Sequence, residues 1–422
     1  MKLRNVLLCW TALFSIVAVA QQQKAPAPVP VQAAAAPSAE KPVRARDLGI
    51  PFDGAPGPLN AITDVKGVEV GFTTLVEGDG PLVTGKGPVR TGVTVIFPRG
   101  KTSTDSVMAS TAILNGNGEM TGTNWIEEGG FMQGAMAITN THSVGVVRDS
   151  IIAWQGKTGY IPQADMYTRE LWASLPVVAE TADVPLNDMN GFHVKPDHVF
   201  GAINAANTGA VAEGNVGGGT GMICHGWKGG TGTASRKLPD TLGGYTVGVL
   251  VQANHGRARN LTIAGVPVGK ELVPPPIKVE SKPEGSGSII VVVATDAPLL
   301  PHQLKRLARR TMLGIGRTGG MGENSSGDLM LAFSTANPGA AEAKKTATVQ
   351  MIQNDDINPL FEATEEATEE AIVNALVAAK TMTGANGITV PAIPHDKLQQ
   401  IMRKYNRLVE AAPKPAAPTP GK

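Results

Sequence analysis

The 422-residue sequence predicts one layered α/β domain, on three observations. Short β-branched runs recur along it, amphipathic helical patterns lie between them, and neither an internal repeat nor an obvious linker divides residues 46–410. The one interruption is a proline-, lysine- and glutamate-rich stretch at 274–284 followed by Gly285-Ser286-Gly287. Fifty glycines against 4% aromatic residues point to tight loops and close backbone approach around a site, not to a helical scaffold.

Taken from the N-terminus, Lys2 and Arg4 precede an apolar run at 6–20 that closes on Ala18-Val19-Ala20, the pattern of a secretory signal with a small-residue cleavage site. Residues 1–20 are therefore expected to be removed, placing the product in the periplasm or outside the cell. Residues 21–45 and 411–422 are rich in Pro and Ala and too poor in large apolar groups to fold, so they read as a disordered linker and a disordered tail around a catalytic domain at 46–410. No later apolar run approaches the roughly 20 residues that cross a bilayer, so no membrane span is expected. Cys9 leaves with the signal and Cys224 remains alone, which rules out an internal disulfide. A formal charge of +1 offers no footprint for nucleic acid.

Within the domain, strands are expected at 67–71, 92–97, 137–139, 143–147, 245–251, 288–294 and 328–333, with the apolar content of strands buried on both faces. After Pro298 and Pro301, Leu304, Leu307, Ala308 and Met312 fall on one helical face. Ile372, Ala375, Leu376 and Ala379 mark a second helix, with acids in its first turns and Lys380 in its last. Leu398, Ile401, Tyr405 and Leu408 mark a third.

Four segments carry candidate chemistry. Ser288 stands at the head of the run IIVVV, directly after the glycine-serine hinge. A cut between Gly287 and Ser288 would give that serine a free α-amine beside its own hydroxyl, so that nucleophile and base belong to one residue; the plain alternative is a loop entering a core strand. Asn254 ends the strand-like segment VGVLVQAN, where an uncharged amide suits an oxyanion hole, or simply a turn. Ser326 and Asp328, two residues apart at the mouth of a strand, point the same way and would form a relay touching Ser288, or a turn cap. The glycine-rich stretch 214–237 could present backbone N–H groups to an anion, but it lacks the Walker spacing and reads first as a structural or substrate-lining loop. No G-x-S-x-G elbow surrounds any serine, and the seven histidines show no paired spacing for a triad or a zinc site, so a histidine-free nucleophile fits best.

These segments occur in order with ARDLGIPFDGAPGPLNAITDVKGVEVG, NGNGEMTGTNWIEEGG, ITNTHSVGVVRD, LPVVAETADVPLNDMNG and GIGRTGGMGENSSGDLMLAFSTAN. Together they resemble the peptidase family of the L-aminopeptidase D-Ala-esterase/amidase and the β-peptidyl aminopeptidases, the P1 or S58 peptidases, over nearly the whole domain. The resemblance implies a four-layer α-β-β-α sandwich like that of the N-terminal nucleophile hydrolases, self-cleaved into a larger chain ending at Gly287 and a smaller one starting at Ser288. It also implies a homotetramer of these processed heterodimers. By motif, Ser288 is the nucleophile, Asn254 the oxyanion donor, Ser326 the second serine of the relay, and Asp328 takes the place usually held by Glu. Glu180 matches the carboxylate that holds the substrate's amino terminus, while Ala182 stands where an aromatic is common, a contribution that would be lost or come from Tyr245 or Trp125. The implied reaction releases an unblocked N-terminal residue from a small peptide, amide or ester and needs no metal or organic cofactor. A self-processing acyltransferase and a non-catalytic exported binding protein are the competing expectations; the former group uses threonine at the cut and acts in the cytoplasm.

Overall fold

The protein is described by a computed structural model, which covers residues 43–161, 172–277, 287–342 and 345–409. The expected signal, most of the linker, the tail and the segment 278–286 before the expected cut lie outside these residues. Arg44 and Ala45, at the end of the expected linker, already belong to the fold: Arg44 pairs with Glu213 at 2.7 Å and Ala45 donates its N–H to Asn374.

In chain order the strands are β1 (Glu69–Glu77), β2 (Val89–Phe97), β3 (Val107–Gly116), β4 (Phe131–Met132), β5 (Met136–Thr139), β6 (Val177–Glu180), β7 (Ile223–Cys224), β8 (Trp227–Lys228), β9 (Gly230–Lys237), β10 (Thr246–Asn254), β11 (Ser288–Thr295), β12 (Gly327–Ser334), β13 (Met382–Thr383) and β14 (Thr389–Val390). The helices are α1 (Thr123–Gly129), α2 (Val144–Thr158), α3 (Pro196–Ala205), α4 (Pro301–Arg317), α5 (Asn358–Ala378) and α6 (His395–Lys404). One sheet runs β1-β2-β5-β6 and the other β4-β3-β12-β11-β10-β9, with β11 and β12 parallel at the centre of the latter.

Side-chain alternation assigns the layers. Along β10 and β11, Val247, Val249, Val251, Ile289, Val291 and Val293 share a core with Leu304, Leu307 and Leu376 of α4 and α5. The intervening Leu250, Ile290 and Val292 face the other sheet, meeting Ile96, Met136 and Ile138. That sheet's far face packs Val93, Val95 and Phe97 against Val147, Val199 and Ile203 of α2 and α3. The result is the expected four-layer α-β-β-α sandwich, and each fully buried aliphatic contributes roughly 1.5–3 kcal/mol of transfer free energy.

Several element boundaries differ from expectation; α6, for one, ends at Lys404, short of Tyr405 and Leu408. Residues 143–147 are not a strand: α2 begins at Val144, because Val144, Val147 and Ile151 at helical spacing meet the outer face of the four-stranded sheet. Asn140 prepares the entry by accepting the N–H of His142, and local β propensity yields to that packing. The second helix ends at Ala378, so Lys380 lies beyond it. Its interior acid Glu370 is buried yet ionisable, since burial raises its carboxyl while Arg46 and Arg236 more than offset that and hold it below the ordinary range.

Leu331 sits wholly buried between the two sheets. Leu331→Ala is expected to lower the unfolding free energy by about 2–5 kcal/mol, read by chemical denaturation; a loss under about 1 kcal/mol would contradict this placement.

Candidate active site

Three strand ends converge. Ser288 is the first residue of β11, and its antiparallel partner across the ladder is Asn254, the last residue of β10. Ser288 Oγ accepts a 2.9 Å hydrogen bond from the N–H of Gly327, the first residue of the parallel neighbour β12. Gly287 must be glycine for a steric reason: a Cβ there would lie 2.0 Å from the carbonyl oxygen of Asn254.

The amide of Asn254 is oriented by its partners. Oδ1 accepts from the N–H of Ile223 at 2.8 Å, which only an oxygen can do, and Nδ2 donates to the carbonyl of Ala182 at 2.9 Å. Among the described residues its other Nδ2 hydrogen has no acceptor. Ser326 and Asp328 are brought together as expected, with Ser326 Oγ 2.8 Å from Asp328 Oδ2 and 2.6 Å from the carbonyl of Glu323. The shorter aspartate thus still reaches the serine. Burial, chiefly, pushes the Asp328 carboxyl up to about 6, with nearby Glu323 adding to it and the Ser326 hydrogen bond opposing. When protonated, Asp328 can donate to Ser326, whose own hydroxyl then donates to Glu323; when ionised, it can only accept. The group that reaches Ser288 is the N–H of Gly327, which lies between these two residues in the chain.

Glu180 closes the far side. It ends β6, its Oε1 accepts the N–H of Glu119 at 3.0 Å, and its Oε2 accepts the hydroxyl of Thr141. Burial raises its carboxyl, and among the described residues it forms no ion pair. Gly118 connects it to the nucleophile strands, since a Cβ on Gly118 would lie 3.1 Å from both Glu180 Oε1 and Gly327 Cα. Beside this junction opens a cavity of about 460 Å³, lined by Gly116, Gly118, Met120, Thr123, Leu329 and Lys305 among others. Asn117 and Gly118 of the NGNG turn were not singled out from the sequence. Their value rests on close approach, which only the repeated glycines of that motif could have signalled.

Tyr245 is excluded as the substitute for the missing aromatic: it precedes β10, whereas the site lies at that strand's other end, about nine residues or roughly 30 Å away. Trp125 lies on α1 beside the cavity, half exposed, with its indole against Gly129. In the glycine-rich stretch, the N–H groups of Gly217 and Gly218 bond Thr74 and Thr94 hydroxyls, and those of Gly214, Gly219 and Gly229 bond backbone carbonyls. These five donors are spent inside the fold, which weighs against anion binding and favours the structural or substrate-lining reading.

A buried serine at the head of a central strand, within a four-layer α-β-β-α sandwich, defines the class: a hydrolase of the N-terminal nucleophile type. The chain belongs to Peptidase family S58, whose sequence model matches residues 60–390, and it is accordingly a serine aminopeptidase. It is 54% identical over 390 residues, 90% of this chain and 96% of the other, to the β-peptidyl aminopeptidase BapA of Sphingosinicella microcystinivorans. The solved L-aminopeptidase D-Ala-esterase/amidase of Ochrobactrum anthropi, described as a variant of the Ntn hydrolase fold, superposes with a TM-score of 0.78 at 47% identity, covering 87% of this chain and 100% of that one. A Burkholderia sp. β-aminopeptidase gives 0.76 at 48%, with coverage of 86% and 99%. Among the described residues no helix is long and apolar enough to cross a membrane.

The raised Asp328 carboxyl has a stability signature. A folded-state value above the unfolded one favours the protonated form, so this contribution is fully present below about 3.8 and is lost as pH rises through about 6. The stability difference between Asp328→Asn and the parent should therefore shift in favour of the variant by up to about 3 kcal/mol between pH 4 and pH 7. A difference that stays flat in denaturation curves across that range would show that Asp328 titrates normally.

Proposed function

We propose that the protein is an exported, self-cleaving aminopeptidase that releases unblocked N-terminal residues, β-amino acids among them, from small peptides, amides or esters through an acyl-enzyme on Ser288. The observation that carries this reading is the position of Ser288, paired across the ladder with Asn254 and contacted by the N–H of Gly327. The expected boundaries go with it: a signal at 1–20, a linker at 21–45, a larger chain to Gly287, a smaller chain from Ser288 and a tail at 411–422, assembled as a tetramer of processed heterodimers.

Cleavage begins when the Ser288 hydroxyl attacks the Gly287 carbonyl; the peptide C–N bond breaks as an ester forms, and water then releases the Gly287 carboxylate. Gly287 fits at this junction because it has no Cβ to collide with the Asn254 carbonyl. The freed α-amine, with a reference pKa of about 7.7–8.0, then takes the Ser288 hydroxyl proton as substrate is attacked. The remaining Nδ2 hydrogen of Asn254 supports the developing oxyanion. Ser326 and Asp328 hold the head of β12 and thereby the Gly327 N–H on Ser288 Oγ. Glu180, a buried carboxylate in no ion pair among the described residues, receives the substrate ammonium, and the adjacent cavity takes the side chain of the substrate's first residue. The Sphingosinicella and Burkholderia relatives, named as a β-peptidyl aminopeptidase and a β-aminopeptidase, support β-amino acids among the residues released.

Purified protein should contain two chains, the smaller beginning SIIVVVATD, and Ser288→Ala should remain whole and inactive. Active protein with an intact 287–288 bond in N-terminal sequencing would end the mechanism. Asn254→Ala should lose roughly 10²–10³ in kcat on an aminoacyl amide, or about 2.7–4 kcal/mol. Retained turnover would remove that amide from the reaction. Glu180→Gln should raise KM for free-amine substrates far more than for N-acylated esters, because only the former lose a charge-assisted bond; equal losses would make Glu180 structural.

A further inference from the structure

Behind Asn254 lie three side chains that the reaction above does not use. Cys224 ends β7, His225 opens the two-residue turn between β7 and β8, and His255 follows β10. All three are buried, and one ligand-type atom of each lies within 4.8 Å of the others. Cys224 and His225 are neighbours in the chain, but His255 comes thirty residues later, a spacing that matches no metal motif.

The geometry suits a borderline-to-soft cation. Cys224 Sγ is 3.9 Å from His255 Nδ1. Zinc bonds of about 2.3 Å to sulfur and about 2.0–2.1 Å to nitrogen at tetrahedral angles would separate those atoms by roughly 3.6 Å, so the pair need close only slightly. His225 Nδ1 lies 3.0 Å from the carbonyl of Arg257. A carbonyl only accepts, so the proton is on Nδ1 and the lone pair on Nε2, the arrangement in which metal-bound histidines are held by a backbone oxygen. That Nε2 is buried with no hydrogen-bond partner among the described residues and is the atom an ion would occupy. His255 would ligate through Nδ1, the nitrogen facing Cys224, and carry its proton on Nε2.

The backbone adds an independent sign. His225 adopts φ 49°, followed by Gly226 at 77°, positions of a hairpin turn that favour Asn or Gly. Holding a residue with a Cβ there is unfavourable, so the turn carries strain that a useful contact would offset. Opposite it, Gly256 leaves the room the imidazole fills, since a Cβ would lie 2.3 Å from the ring. Lys228, the nearby buried cation, donates to the carbonyls of Met222 and Gly229 at 2.9 Å each rather than to the thiol or the imidazoles.

We propose that Cys224, His225 and His255 form a buried site for one zinc-class ion, bound by a thiolate, two neutral imidazoles and one water in the fourth position, with the thiol proton released to solvent. Such an ion would tie the β7–β8 hairpin to the end of β10. The same hairpin orients Asn254 through the Ile223 N–H, and His225 N–H already bonds the His255 carbonyl at 2.8 Å. The ion is therefore structural and positioning; it touches no substrate.

Protein purified from zinc-supplemented medium and dialysed against metal-free buffer is expected to retain one zinc ion per chain by elemental analysis. Refolding with Co²⁺ should give the visible d–d absorption of tetrahedral cobalt together with a near-ultraviolet thiolate charge-transfer band. Cys224→Ala and His225→Ala should each lower retained zinc by about tenfold or more, while Lys305→Ala leaves it unchanged. Wild-type protein that holds no zinc, cobalt protein without the thiolate band, or a folded Cys224→Ala variant that keeps its zinc overturns the proposal. The cobalt spectrum of the wild type decides the matter even if both ligand variants fail to fold, and metal content is read whether or not Ser288 proves to be the nucleophile.

Discussion

The register between β10 and β11 is the constraint on which the rest of the site depends. Asn254 faces Ser288 across the ladder only because Val247 pairs with Thr295 at the other end and every residue between keeps step. Side chains alternate along a strand, so a slip of one residue would turn Ser288 away and would also move Val291 and Val293 out of the helix-facing core. The packing energy of the two cores thus fixes the geometry of the site. Polar residues at the ladder's end inherit a position set by apolar residues along its length.

Around that pair, glycines replace side chains where strands and loops meet. Gly287 lies against the Asn254 carbonyl, Gly118 against Glu180 and Gly327, and Gly327 in turn against the Asn117 carbonyl. Ser288 and Glu180 come from different sheets, and only the absence of Cβ atoms lets these segments approach. The composition that looked loop-rich is in large part contact surface.

The valine-rich strands were legible because burial on both faces leaves a continuous apolar run, and α4 because its leucines repeat at helical spacing. Residues 143–147 were misread because β-branched residues do not reveal which layer they will meet. Ser288, Asn254, Ser326 and Asp328 stood out as residue types at strand ends, and the resemblance joined them. Their mutual distances depend on pairing between segments thirty or more residues apart, which no local pattern encodes. The same holds for His225 and His255, whose rings meet edge to face although their sequence spacing matches no metal motif.

The strand order of the larger sheet has one more consequence. Read across it, β3 is followed by β12 and β11, and then by β10 and β9. A break before Ser288 would assign the middle two strands to one polypeptide and their neighbours on both sides to the other, with α5 of the former packed on β9 and β10 of the latter. Two such chains would be interleaved, not docked. Neither could leave without opening two ladders at once, so no dilution short of unfolding would separate them, and the new terminus would stay where the uncut chain had put it.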